Sequence, residues 1–386
     1  MRIGIDARAI LNPEKIAPTG VANYVWQLVK NLLEMDKENQ YILFFDFKVQ
    51  DKDVKRFTQS NVKIKFFPFS DYKKYMPAAY SEILGMATFA REKMDVLHTT
   101  SPLYRVPATY RGKIVTTFYD FAPYRVPELF PRLSTAKLKT LYSFAAKKSD
   151  RIITVSESTK KDVRKFLGYP EEKITTIHNG IDKRFFEQEE YSKDEVKKGH
   201  GIVDKYILFL GTLEPRKNLS RVLDAFARFK KNYKNEFDYQ LVVAGKRGWL
   251  MEEYFQQAAD LGITDEVVFT GYVGGDELKP LYTNAEFFVM PSLWEGFGQT
   301  IVEAMACGAP CLVSKVSSIP EIADEAAYFV DPHDTDGIAK GMMELATNKE
   351  LRESLSAKGK EQAKKFSWEK CAKETLEVYC QAEREK

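Results

Sequence analysis

Two carboxylates, Glu295 and Glu303, stand with seven residues between them in the segment SLWEGFGQTIVEAMACGAP, 292–310. A strand pattern ends at Ser292, small residues follow, and a helix pattern begins near Gln299. Backbone N–H groups of Gly298, Gln299 and Thr300 would point out of that helix start, where they and the positive end of the helix dipole suit phosphate oxygens. Gly296 and Gly298, on either side of Phe297, permit close backbone approach. The two acids make poor phosphate ligands, because like charges repel. They suit hydroxyls of sugar rings on either side of phosphates: Glu303 for a ribose diol, Glu295 for a second sugar. An ordinary strand–loop–helix with one acid near the dipole does not need two glycines, an aromatic and two spaced acids together.

A second group lies in FLGTLEPRKNLSRVLDAF, 209–226. Arg216 and Lys217 fall in the turn between a strand and a helix. Two cations there can neutralise a diphosphate, Arg through a planar fork and Lys as a compact charge. Negative charge grows on a departing diphosphate, so such neutralisation favours its departure. Glu214 is placed to orient one of the cations. A solvated charged turn would explain Arg-Lys alone; beside the Glu295–Glu303 segment the phosphate reading is favoured. In the first half, APTGVANY (17–24) puts Gly20 at a helix start, a weak signal taken alone.

Metal chemistry finds little support. Asp51-Lys52-Asp53 and Asp334-Thr335-Asp336 have an Asp-x-Asp spelling, but both lie in hydrophilic stretches away from the phosphate-binding loops and read as solvated turns. The four histidines are widely spaced. Cys307 and Cys311 have no companion pair and read as small residues near a helix end, and four cysteines fit a reduced compartment. No metal and no cofactor are expected. Neither half carries Gly-x-Gly-x-x-Gly after its first strand, which argues against a dinucleotide-dependent dehydrogenase.

The elements that must position these residues alternate along the whole chain. At 386 residues, 44% hydrophobic and 13% aromatic, the chain has material for two cores. MRIGIDA, YILFFDF, VKIKFFP, DVLH, KIVTTFYD and RIITVS read as strands of the first half. YILFLG, LVVAG, VVFTG, FFVMPS and PCLVS read as strands of the second, with helical patterns between them. This is the α/β pattern of two doubly wound parallel sheets. The division expected is a first domain over 1–183, a charged linker over 184–204, a second domain over 205–366, and a terminal helix over 367–386. In a doubly wound domain, ligands bind beyond the carboxyl ends of the strands. No apolar run reaches the ~20 residues of a membrane span, and Asp6 and Arg8 interrupt the opening stretch, so a soluble cytoplasmic protein is expected. Residues 1–190 carry 32 Lys and Arg against 23 Asp and Glu, and the remainder 26 against 32. That asymmetry fits either an anionic partner for the first half or ordinary surface variation.

These pieces together resemble the retaining glycosyltransferases of family 4, along nearly the whole chain: TGVANYVWQL, DVLHTTSP, TTFYDFAPYRVPELF, ITVSESTKKDV, HNGID, LGTLEPRKNL, the Glu295–Glu303 segment and SSIPEIADEAAYFVDPHD. The resemblance implies a GT-B fold, two Rossmann-like domains facing a cleft. It implies that the acid matching Glu303 binds the nucleotide ribose and the one matching Glu295 contacts the donor sugar. Arg216 and Lys217 would hold the diphosphate, the base would sit against Gly271-Tyr272-Val273, and the terminal helix would pack back on the first domain. Relatives often carry His-Asp where this chain reads Tyr119-Asp120. Tyr119 can donate a hydrogen bond but cannot act as an imidazole. Asp120 either has an acceptor-side role, orienting or deprotonating the incoming hydroxyl, or closes a local turn.

The activity expected is metal-independent, retaining transfer of a hexose from a nucleotide-diphosphate sugar to a hydroxyl of a glycan or lipid-linked acceptor in polysaccharide biosynthesis. Resemblance to family members that carry the turn EPRKN implies mannose from GDP-mannose, with UDP-sugars next. Alternatives are a nucleotide-sugar epimerase and a catalytically degenerate nucleotide-sugar-binding protein. No nucleic-acid partner is expected. Arg132, Lys137, Lys139, Lys147 and Lys148 accompany Leu133, Leu138, Leu141 and Phe144 on one helix pattern. That helix either rests peripherally on an anionic membrane face or packs on the core with a solvated lysine face.

Overall fold

The computed structural model describes residues 1–10, 20–46, 48–49, 54–67, 78–104, 106, 108–187, 194, 199–202, 205–232, 238–246 and 251–385. Asp51-Lys52-Asp53, Ala17 to Thr19 and most of 184–204 lie outside them. The chain divides into two compact units, Met1–Gly180 with Ser367–Lys386, and Ile181–Phe366.

Among its described residues unit 1 holds seven parallel strands: β1 (Arg2–Asp6), β2 (Gln40–Phe45), β3 (Val62–Phe66), β4 (Val96–Thr99), β5 (Lys113–Phe118), β6 (Arg151–Thr154) and β7 (Ile174–Thr176). Their order is β3-β2-β1-β4-β5-β6-β7. Parallel strands need crossovers, which cover both faces, so β2 and β4 to β6 are nearly continuous buried runs. Order reverses beside β1, leaving a crevice at the carboxyl ends of β1 and β4.

The terminal helix Trp368–Arg384 belongs to this unit and buries Cys371, Thr375, Val378 and Tyr379. Its entry needs Gly180, since a Cβ there would lie 2.1 Å from the backbone nitrogen of Trp368. Farther along, Tyr379 Oη lies 2.6 Å from His98 Nδ1, and Thr117 Oγ1 lies 2.8 Å from His98 Nε2. Burial lowers the imidazole pKa to about 3, so His98 is neutral.

Among its described residues unit 2 repeats the plan with six parallel strands: β8 (Tyr206–Leu210), β9 (Gln240–Ala244), β10 (Val267–Gly271), β11 (Phe287–Met290), β12 (Cys311–Ser314) and β13 (Tyr328–Val330). The order β10-β9-β8-β11-β12-β13 puts the reversal between β8 and β11. Helix Leu219–Asn232 turns Leu219, Val222, Leu223, Phe226 and Phe229 inward, a helical-period apolar stripe on the core. The linker expectation needs correcting at its start. Lys183–Phe186 forms a 3-10 turn, and Phe185 is buried with its ring 6.3 Å from Tyr282. Burial of one aromatic makes this stretch part of the unit rather than a tether.

Candidate active site

The two sequence segments singled out in unit 2 meet at the strand reversal. After β8, the chain makes a 3-10 turn over Pro215–Lys217 and then places Asn218 in the left-handed region, at φ 65°. Asn218 is suited to that conformation, and its Nδ2 donates to the carbonyls of Pro291 (2.9 Å) and Pro332 (2.7 Å). The carbonyl of Arg216 accepts from Leu293 N at 2.8 Å. These bonds seam the β8 turn to the loop after β11.

Across the seam lies an alternating set of charges. Lys217 Nζ donates to Glu295 Oε1 at 2.6 Å, and Arg216 Nη1 donates to Glu295 Oε2 at 2.9 Å. Arg216 also donates to the Trp294 carbonyl and, through Nη2, to Glu214 Oε1, both at 2.5 Å. Burial works to raise the Glu295 pKa, but the charges of Arg216 and Lys217 outweigh it and hold the group down at about 2. Glu214 orients Arg216, as its position in sequence suggests.

Serines following β12 fix the loop from behind. Ser317 Oγ accepts from Glu295 N at 2.9 Å, and Ser318 Oγ donates to the carbonyls of Glu295 and Phe297 at 3.1 Å. Ser314 Oγ donates to the Ser292 carbonyl at 2.6 Å. Sequence reasoning did not single these serines out. Their signal was Ser314 ending a strand and Ser317 and Ser318 in the turn after it, where the segment SSIPEIADEAAYFVDPHD begins.

Helix Gln299–Ala306 starts at Gly298, whose φ of 96° suits glycine, and carries no acid in its first turn. Phe297 is buried against Phe366, with rings 5.6 Å apart. Thr300 Oγ1 donates to Met290 Sδ at 3.3 Å, holding the helix start on the end of β11. Glu303, one turn on, is half-buried and accepts from Tyr282 Oη at 3.2 Å. Burial pushes its pKa up to about 7, against the hydrogen bond from Tyr282. Gly296 lies in the loop, between the Glu295 and Phe297 carbonyls that Ser318 holds. At the end of β10, Gly271 has φ 74° and accepts from Gly245 N at 2.8 Å; Tyr272 is exposed and Val273 buried.

In unit 1, Tyr119 and Asp120 directly follow β5. Tyr119 Oη donates to the Thr100 carbonyl at 2.5 Å and its ring packs edge-on to Tyr24 at 5.2 Å. Asp120 Oδ1 accepts from Ala122 N at 3.0 Å, closing the turn into helix Ala122–Arg125. Gly20 is the exposed first residue of helix Gly20–Met35, with open space where a Cβ would stand. Helix Arg132–Lys148 turns Thr135, Tyr142 and Ala146 inward and packs Leu138 beside them, while Leu133 is exposed. Asp334 caps helix Thr335–Thr347 through Gly337 N, and Asp336 pairs with Arg228. Among the described residues no group of three or more His, Cys, Asp or Glu could hold a metal ion, and no helix is long and apolar enough to cross a membrane.

Comparison with known proteins gives the two halves separate matches. Residues 18–185 match Glycosyltransferase Family 4, and 192–362 match Glycosyl transferases group 1. O-antigen chain mannosyltransferase B of Escherichia coli is 28% identical over 375 residues, covering 95% of this chain and 97% of that protein. Among solved structures, sucrose-phosphate synthase of Thermosynechococcus elongatus superposes with a TM-score of 0.76 at 17% identity, covering 98% of each chain. Anabaena HepE in complex with UDP and glucose gives 0.74 at 16% identity, covering 99% of this chain and 100% of that one. Both have the two-domain fold that the sequence pattern implies.

Proposed function

We propose that this chain, which belongs to the family 4 glycosyltransferases, transfers a hexose from a nucleotide-diphosphate sugar to a hydroxyl of a glycan or lipid-linked acceptor, with retention and without a metal. The observation that carries the reading is that Lys217 Nζ, 3.9 Å from Met290 Sδ, and Thr300 Oγ1, 3.3 Å from the same sulfur, bring the cation turn and a glycine-started helix together at the strand reversal of unit 2. Cations and a helix start are what a departing diphosphate needs, and a strand reversal is where doubly wound domains bind ligands.

In this reading Arg216 and Lys217 hold the diphosphate beside the N–H groups of Gly298, Gln299 and Thr300. Glu303 takes the ribose diol, Glu295 the sugar hydroxyls, and the base lies against Gly271-Tyr272-Val273. As the bond from the anomeric carbon to the phosphate oxygen breaks, the acceptor oxygen bonds to the same face of that carbon. A phosphate oxygen takes the acceptor proton. Catalysis then rests on positioning and on stabilising the charge that builds on the diphosphate. Asp120, at the carboxyl end of β5, is our candidate for orienting the acceptor hydroxyl.

Mannose is the sugar we favour, because a relative matched over nearly its whole length is a mannosyltransferase of O-antigen chains. The superposed HepE structure, in complex with UDP and glucose, supports a nucleotide-sugar donor. A cytoplasmic location completes the proposal. Membrane contact would run through exposed Leu133, flanked by Arg132 and exposed Lys137, and sedimentation with anionic liposomes tests it. The donor is tested by thermal shift with GDP-mannose, UDP-glucose and other nucleotide sugars, followed by assay of nucleoside diphosphate release with and without acceptor. A raised melting temperature and acceptor-dependent release support transfer. Release of an altered nucleotide sugar with no acceptor would instead identify an epimerase.

A further inference from the structure

Glu295 is asked to grip a sugar, yet in this structure it gives both carboxylate oxygens to the cations that should hold the diphosphate. Its Oε1 accepts from Lys217 Nζ at 2.6 Å and its Oε2 from Arg216 Nη1 at 2.9 Å. Glu295 is 5% exposed and Lys217 9%, so water screens the pair little. With Glu214 on the other side of Arg216, two cations face two carboxylates and their charge is already balanced. A diphosphate brought onto Arg216 and Lys217 meets Glu295 at short range, and two close anions in a poorly hydrated place repel strongly.

The backbone of Glu295 is held at both its N–H and its carbonyl by Ser317 and Ser318, so relief must come from rotation of its side chain. We propose that Glu295 is an internal counter-anion: the diphosphate displaces its carboxylate from Lys217 and Arg216, the freed carboxylate is taken up by the hydroxyls of the donor sugar, and its return to the cations after transfer expels the nucleoside diphosphate. This deepens the donor-site reading above and rests on it. Glu295 thereby sets a preference for a diphosphate that carries a sugar over one that does not. Only the sugar-bearing ligand supplies new partners for the displaced carboxylate. A bare nucleoside diphosphate takes the cations and leaves Glu295 beside it with nothing in exchange.

The test measures GDP and UDP binding to wild type and Glu295→Gln by calorimetry, beside product inhibition of transfer. Removing the counter-anion should tighten binding of the accepted nucleoside diphosphate by about tenfold or more, while transfer falls because the sugar contact is lost. A merely structural role predicts equal or weaker binding in Glu295→Gln, and that result overturns the proposal while leaving the donor site standing. Binding of neither nucleotide to wild type or to Glu295→Gln overturns the donor-site reading and the proposal with it. Should Glu295→Gln not fold, a crystal structure of wild type with the same nucleoside diphosphate decides. Glu295 moved off Lys217 supports the proposal, and the pair still hydrogen-bonded with the diphosphate in place overturns it.

Discussion

Tyr282 Oη donates to Glu303 Oε2 at 3.2 Å, a fully buried phenol holding a half-buried acid on the neighbouring helix. The bond points one carboxylate oxygen and favours its ionised form, yet burial keeps the pKa near neutrality, at about 7. The residue assigned to the ribose therefore changes charge within the working range.

Binding of nucleotide sugar should strengthen by up to about tenfold between about pH 6 and about pH 8 as Glu303 ionises, because a carboxylate accepts from both hydroxyls of a diol. Calorimetry with a nucleotide sugar, whose phosphates do not titrate there, checks this, and Glu303→Gln should flatten the profile. Stability runs the other way. The folded-state pKa is raised, so the proton stabilises the fold fully below the ordinary carboxylate range, and that contribution is lost as pH rises through about 7. Glu295 is opposite: its depressed pKa gives stability present above the usual carboxylate value and lost as pH falls toward about 2.

Lys217→Ala and Glu303→Ala should each lower kcat/KM by about 100-fold or more while leaving a folded protein, since each removes a group that the departing nucleotide needs. Lys217→Ala should also cost about 1–3 kcal/mol in urea denaturation, because Glu295 loses one of its two cationic partners. Unchanged turnover in both variants removes the donor site.

Tyr379→Phe should destabilise unit 1 by about 1–3 kcal/mol, because the buried His98 Nδ1 loses its partner. Hydrogen exchange should quicken along helix Trp368–Arg384 and leave helix Leu219–Asn232 unaffected. Equal protection in wild type and variant would show that the bond does not hold the terminal helix.

Tyr119→Phe should keep transfer within about tenfold of wild type. Its hydroxyl is directed to the Thr100 carbonyl, and the loss is that of one hydrogen bond, about 1 kcal/mol. A much larger fall in kcat with unchanged stability would mean that the phenol acts on the substrate.

What could be read without coordinates was local. Alternating apolar runs and helical stripes marked two parallel-sheet domains, because burial on both faces of a strand or one face of a helix is written at short spacing. The glycines of 296–298 and the acids at 295 and 303 sit on one strand–loop–helix, so their relation to a helix start followed from order alone. The tertiary structure decided what depends on partners distant in sequence. Nothing near Glu295 says that its carboxylate lies on Lys217, 78 residues away, or that Ser317 and Ser318 hold its backbone. Nothing near His98 says that Tyr379 caps it from 281 residues away. Phe185 read as linker until its ring was found against Tyr282. Periodicity records which side of an element is buried. Which charged group meets which is set only when strand order brings the β8 turn beside the loop after β11, and that pairing leaves no periodic trace in either segment.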